Sequence, residues 1–490
     1  MVRISGRLII AMAIMVILLA AAIANAQADS LHNVSAAEVV SKIESGQDVD
    51  YQNVSIEGDL DLSGLKGPLT QEVRITNCQI GKADFEGVTF EEPLDMRGTI
   101  FRNSVSFAKA KVLSDARFSE AVFLGATDFR NSNFVGSASF TSAQFLNDTS
   151  FANAQFDGDL SFLDSSFAGD VQFDYAQFSR IVTFWDAKFN NVSFLETKFD
   201  EQTTFAYAQF NGSTLFASTD FGSDAVFRSS VFNRNAQFGL AQFNGLCDFS
   251  SAIFKSMAIF LGIKASDIVY FTDTRFDQDL ILEGARIYGM QLNNASFGEN
   301  SKIDLKDADF SRFVVRWDTI KDRMVFDGAA YQALVKNYKN LEWFNDADDC
   351  YYQYRRLSQA QEPWGWTKLA DVIAWLSCGY GVRVSYVSFW CVFTILIFGL
   401  IYWAGNGMRR FEIAGIEVPG EAGEPKNDPV NQRTSLVDAI YFSVAMFTTS
   451  QAPVNNYPVK LYRHLAMFEG ILGWFFLGLF VVVLSGVLIR

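Results

Sequence analysis

Phenylalanine falls every eleven residues at Phe107, Phe118, Phe129, Phe140, Phe151, Phe162, Phe173 and Phe184. A second row, Phe123, Phe134, Phe145, Phe156, Phe167, Phe178 and Phe189, lies five places after members of the first. The unit is F-x-x-A-x-F-x-x-x-x-x, as in "FTSAQFLNDTS" and "FDYAQFSRIVT". One residue is lost before Phe194, and the spacing then resumes through Phe205, Phe216, Phe227, Phe238, Phe249 and Phe260. Neither the helical period of about 3.6 residues nor the strand period of about two keeps such rings on one face. A chain that turns a corner about every five residues does, so the repeat predicts a solenoid with rings stacked along its axis. That explains why phenylalanine is so abundant, 48 in 490 residues, and each ring of the array reads as core rather than as part of a ligand site.

Ala121, Ala143, Ala154 and Ala176 stand two places before their phenylalanine, and Asn, Asp, Gln, Ser and Thr fill the positions between. In these features the chain resembles the pentapeptide-repeat family, in which the central aromatic or Leu and the small residue two places earlier point inward. The resemblance implies a right-handed quadrilateral β-helix over residues 59–316. Alternating steps of five and six depart from the family's plain fives and imply coils of 22 residues. Phe85 to Phe276 then spans about nine coils, a rod about 40 Å long at the spacing of neighbouring strands. Ahead of it, residues 35–58 read as a cap: Ser35-Ala36-Ala37-Glu38 is a capping box, Val39, Val40 and Ile43 share a helix face, and Gly46 stops the helix.

The net charge of −15 argues against a nucleic-acid groove. Residues 1–26 read as a secretory signal, with Arg3 and Arg7, an apolar run, and Ala24-Asn25-Ala26 as a small-x-small cleavage site; an uncleaved signal anchor is the alternative. Either version places the rod outside the cytoplasm, away from the cytoplasmic gyrase that acidic DNA mimics of the pentapeptide family occupy. Cys78, Cys247, Cys350, Cys378 and Cys391 are widely scattered, so no zinc spacing or disulfide framework is read from them. No metal, no cofactor and no catalytic residue is assigned, since neither a nucleophile–His arrangement nor a metal cluster is visible.

Past the repeat, residues 328–362 carry Tyr331, Leu334, Tyr338, Leu341, Tyr351, Tyr354 and Leu357 at helical spacing, which predicts a connector of two packed helices. Asp346, Asp348 and Asp349 lack EF-hand spacing and read as a solvated helix start. Residues 365–383 are amphipathic and Trp-bearing, suiting a helix that lies in the bilayer interface. Gly379-Tyr380-Gly381 at its end spells part of a potassium filter but precedes the first spanning segment, and reads as a turn. Residues 384–407 and 464–490 each contain a run long and apolar enough to span. Between them lie a Gly-, Pro- and Glu-rich loop, 408–434, and a segment, 435–458, whose apolar stretch is too short to cross and reads as a re-entrant helix capped by Ser435.

This order, with Asp438-Ala439-Ile440-Tyr441-Phe442-Ser443, Thr448-Thr449, Tyr457-Pro458, and Glu469-Gly470 with Gly473, resembles the two-helix pore domain of the potassium-channel family. The implied fold of this half is an all-α, two-transmembrane-helix pore-loop domain, giving a multidomain chain. In the family the threonines open a T-V-G-Y-G filter whose carbonyls replace the ion's water. Here Thr448, Thr449, Ser450, Gln451, Ala452 and Pro453 occupy the filter-equivalent positions without either glycine. Ordinary residues pay about 1–2 kcal/mol for left-handed backbone, and Pro453 fixes its own φ, so a potassium-selective filter is not expected. The resemblance assigns Glu469 to bracing the pore helix, through the Tyr441 hydroxyl, against the reading of a hydrated interfacial acid near Arg463 and His464. For Gly473, with Gly470 beside it, bending and close helix packing both stand.

The implied partners are the lipid bilayer, a monovalent cation and three further copies in a homotetramer. An exported rod directs the first spanning helix inward and turns the pore loop toward the cytoplasm, opposite to the family's orientation; the flanking basic residues slightly favour that inversion. Two functions are carried forward: a cation channel with the rod as a sensing, gating or surface-binding element, and a non-conducting oligomeric surface protein with a channel-derived anchor.

Overall fold

A computed structural model describes residues 31–410, 434–453 and 456–488. The leader read over 1–26 and nearly all of the loop at 408–434 lie outside the described residues. The chain divides into two compact units between Asn337 and Tyr338.

In the first unit, from Gln79–Ile80 to Ala258–Ile259, each coil contributes four two-residue strands, for example Asn133–Phe134, Ala138–Ser139, Gln144–Phe145 and Thr149–Ser150. Each is parallel to its counterpart one coil on: Asn133 pairs Gln155, Ala138 pairs Leu160, Gln144 pairs Ser166 and Thr149 pairs Val171. The register repeats at 22 residues. Where one residue is missing, Asn190 and Asn191 alone bridge two strands, and all four ladders continue beyond them. The corners follow the same beat. Lys109, Glu120, Asn131, Ser142, Asn153 and their non-glycine successors have φ between +50° and +62°, left-handed backbone in which Asn and Asp are the best-tolerated ordinary residues. Asn, Asp and Ser are frequent at this position, though Lys, Glu, Tyr and Leu also occupy it.

The rings form columns through the interior. Phe129 stacks on Phe151 at 4.7 Å and Phe140 on Phe162 at 4.9 Å. Between columns Phe129 meets Phe140 edge-on at 5.5 Å and 83°, the geometry the ring quadrupole favours. The solenoid has about 13 turns, because one ladder contains 13 strands, which gives a length of about 60 Å. It outruns the nine coils marked by phenylalanine because Val34, Ile56 and Ile80 continue the column below Phe101 with aliphatic residues.

Both ends of this unit are closed by helices. At the first, α1 (Ala36–Glu44) buries Ala36, Val39 and Ile43, and Ser35 accepts from the Ala37 N–H at 3.2 Å. The expected capping box is only half formed, since Glu38 accepts from the Tyr51 hydroxyl at 2.8 Å. At the other end, past the short α2 (Trp317–Ile320), the helix α3 (Gly328–Asn340) carries Asn337, which is 4% exposed. Its amide accepts from the Phe313 N–H at 2.9 Å and donates to the Phe313 carbonyl at 2.8 Å, supplying one more rung to the last strand, Asp309–Val314. Asn337→Leu strands both buried backbone groups and should cost about 3 kcal/mol, read as faster amide exchange at Phe313 and a lower unfolding midpoint.

In the second unit α4 (Phe344–Gln361) and α5 (Trp366–Cys378) are joined to α6 (Val384–Ala404) through a single 3-10 turn, Gly379–Gly381. Tyr352 fastens this corner: its hydroxyl accepts from Trp375 Nε1 at 2.9 Å and lies 3.1 Å from the Tyr386 hydroxyl. Arg383, paired with Asp349 at 2.7 Å, covers the Tyr352 ring. Gly379-Tyr380-Gly381 thus forms a left-handed corner, with Tyr380 buried, rather than an ion-facing loop. Beyond α6 come Met408–Arg410, antiparallel to Asn456–Pro458, then α7 (Leu436–Thr449) and α8 (Tyr462–Leu488). Among the described residues two helices, α6 and α8, are long and apolar enough to cross a membrane.

Candidate functional site

The helix α7 begins at Ser435, whose side chain accepts from the Asp438 N–H at 3.1 Å. It buries Ala439, Phe442, Ser443, Met446 and Phe447, and leaves Val437, Tyr441, Val444 and Thr448 exposed along another face. Both long helices approach its backbone through glycine. A Cβ on Gly399 of α6 would lie 3.2 Å from the Ile440 Cα, and one on Gly473 of α8 would lie 2.0 Å from the Phe447 carbonyl oxygen. Gly473 therefore serves close packing in this structure; Gly470, one turn earlier, faces Ser450.

The filter-equivalent residues gather at the C-terminal end of α7. The Thr448 and Thr449 hydroxyls donate back to the Val444 and Ala445 carbonyls, each at 2.7 Å, so both threonines are helical. Ser450 has φ of 53° and caps the helix, its N–H reaching the Met446 carbonyl. The Gln451 N–H donates to Thr449 Oγ1 at 3.3 Å. Thr448 through Ala452 are exposed and Pro453 is half-buried. Beside this tip an open groove of about 360 Å³ is lined by Met446, Ser450, Ala466, Met467, Ile471 and Trp474.

Glu469 is 0% exposed. Its Oε2 accepts from the Tyr402 hydroxyl at 2.6 Å, and its Oε1 is hydrogen-bonded to Ser443 Oγ. One carboxyl thereby ties α6, α7 and α8 together. The expected contact with Tyr441 is not made, because Tyr441 lies on the opposite face of α7 and is 60% exposed. The hydrated-acid reading fails as well: Arg463 and His464 are exposed, whereas Glu469 is enclosed. Ser443 and Tyr402 are the partners that sequence reasoning missed. A hydroxyl at each position was visible, but not which face of an apolar helix turns inward.

Among the described residues no group of three or more His, Cys, Asp and Glu could hold a metal ion. None of the five cysteines forms a disulfide, and burial pushes the Cys78, Cys247 and Cys350 thiols up, away from the reactive thiolate.

Residues 75–122 and 118–166 match the family described as pentapeptide repeats (9 copies). No curated protein matches the chain. The matched residues lie within the first unit, whose parallel ladders form a β-solenoid, and the two findings together support a pentapeptide-repeat domain there. It is followed in the chain by a helical part with two apolar helices that suggest membrane association.

Proposed function

We propose that the second unit assembles as a homotetramer around the ends of α7 and forms a pore that passes monovalent cations without selecting potassium. The observation carrying this reading is the seat of α7. Its 14 residues reach about 21 Å, short of a hydrocarbon core about 30 Å thick. A helix clamped between two longer apolar helices, ending in exposed Thr448, Thr449, Ser450 and Gln451, is what a re-entrant pore loop requires. Selectivity for potassium would need a run of backbone carbonyls aimed at the ion, and helical threonines followed by a capping serine argue against one. The groove beside the tip would be covered by a neighbouring copy.

In this reading α5 lies in the bilayer interface, a placement supported by its exposed stripe of Trp366, Leu369, Ile373 and Leu376. The solenoid sits outside the cytoplasm as a sensing, gating or surface-binding element, and the chain performs no catalysis. The second reading, a non-conducting anchor that gathers solenoids at a surface, draws support from the tip itself. Its threonine hydroxyls are spent within the helix, not offered to an ion.

Reconstitution of the full chain into planar bilayers separates the two. The expected result is a cation current with little discrimination between sodium and potassium. Silence across voltages, pH values and lipid mixtures favours the anchor, and potassium-selective current overturns the filter argument. Cleavage of the solenoid by protease added to intact cells is the result expected of the exported orientation.

A further inference from the structure

We infer that the cluster of Glu469, Ser443 and Tyr402 is a buried proton-binding site, in which the Glu469 carboxyl carries the proton at neutral pH. The argument is a count of hydrogens. Tyr402 has one hydroxyl hydrogen, and it is directed to Glu469 Oε2 at 2.6 Å. Ser443 also has one, yet its Oγ lies within hydrogen-bond distance of two acceptors, Glu469 Oε1 and the Ile395 carbonyl at 2.8 Å. A single hydroxyl hydrogen cannot lie along both lines. A proton on Glu469 Oε1 completes the set: Glu469 donates to Ser443, Ser443 donates to Ile395, and Tyr402 donates to Glu469.

The surroundings agree with a neutral acid. From α6 the site receives Tyr402 and the Ile395 carbonyl, and from α7 it receives Ser443. Among the described residues no cation pairs with Glu469; Arg463 and His464, nearest along its own helix, are exposed. Phe442, Met446 and Tyr402 pack around the same seam as buried members of one apolar cluster. An ionised carboxylate there would have two hydroxyl donors and no counter-charge, an expensive arrangement in an apolar interior. Loss of the proton to water would also draw the Ser443 hydrogen from Ile395 to the carboxylate, releasing a hydrogen bond that ties α7 to α6. The site therefore couples proton occupancy to the seating of α7, whether or not the assembly conducts.

Infrared spectroscopy of the full chain in lipid vesicles at neutral pH tests this without any transport assay. The wild type should show the carbonyl stretch of a protonated carboxylic acid that shifts in deuterated water and is lost in Glu469→Gln. Ser443→Ala, which removes the acceptor of the acid proton, should move that band without abolishing it. Glu469→Gln should also keep the wild-type unfolding midpoint, because its amide N–H replaces the acid O–H toward Ser443 and its carbonyl still accepts from Tyr402. Two results overturn the proposal: no acid band lost on substitution, with carboxylate bands changing instead, or failure of Glu469→Gln to fold.

Discussion

Phe162→Ala should destabilise the solenoid by about 3–5 kcal/mol, the range for deleting a fully buried aromatic ring. Phe162 is 0% exposed. It stacks on Phe140 at 4.9 Å and Phe184 at 5.1 Å and meets the edges of Phe151 and Phe173 at 5.5 and 5.7 Å. Truncation leaves a hole in a column that cannot close without bending the ladders on either side, since each coil is held to its neighbours by backbone hydrogen bonds. The measurement is hydrogen exchange on peptides spanning residues 140–184, where protection should fall in the coils flanking the hole more than at either end. Leu163→Ala is the control: the neighbouring side chain is 40% exposed, and its loss should leave protection nearly unchanged.

The second large effect belongs to the helical unit. Gly473→Ala places a methyl group 2.0 Å from the Phe447 carbonyl oxygen and 2.7 Å from its carbon. Both are backbone atoms, so no rotamer change relieves the clash. Either α8 withdraws or the last turn of α7 unwinds, and the cost should be about 3 kcal/mol, the upper part of the range for overpacking a tight interior. A lower thermal midpoint and loss of a single gel-filtration peak in detergent are the expected readouts. Gly478→Ala on the same helix meets nothing within 4 Å and should behave as wild type.

The contrast between the two units shows what a sequence can make legible. In the solenoid a ring must recur wherever the coil closes, so Phe107 through Phe260 expose the 22-residue turn directly. The first coil escaped that reading, its residues taken for a cap and lead-in, because Val34 and Ile56 fill the same column without being aromatic. The amide of Asn337 escaped it for another reason: its partner, Phe313, lies 24 residues away and is met through the backbone. In α7 the difficulty lay in the environment. Ala439, Phe442 and Met446 on one face are no more apolar than Val437 and Val444 on the other, and a helix apolar all round gives no inward direction. Glu469 and Gly473 could therefore be singled out as residues, while Tyr402, Ser443 and the Phe447 carbonyl had to come from the fold.

The short corner at Asn190 and Asn191 shows which part of the solenoid sets its dimensions. A residue is absent there, yet Gln177 still finds Lys198, Phe178 finds Phe199, and the rungs beyond fall into step. Corner length is therefore slack, whereas the rung is not. Such a rod behaves as a ruler graduated in whole coils: small losses are absorbed locally, and its reach changes by adding or removing complete graduations of about 4.8 Å.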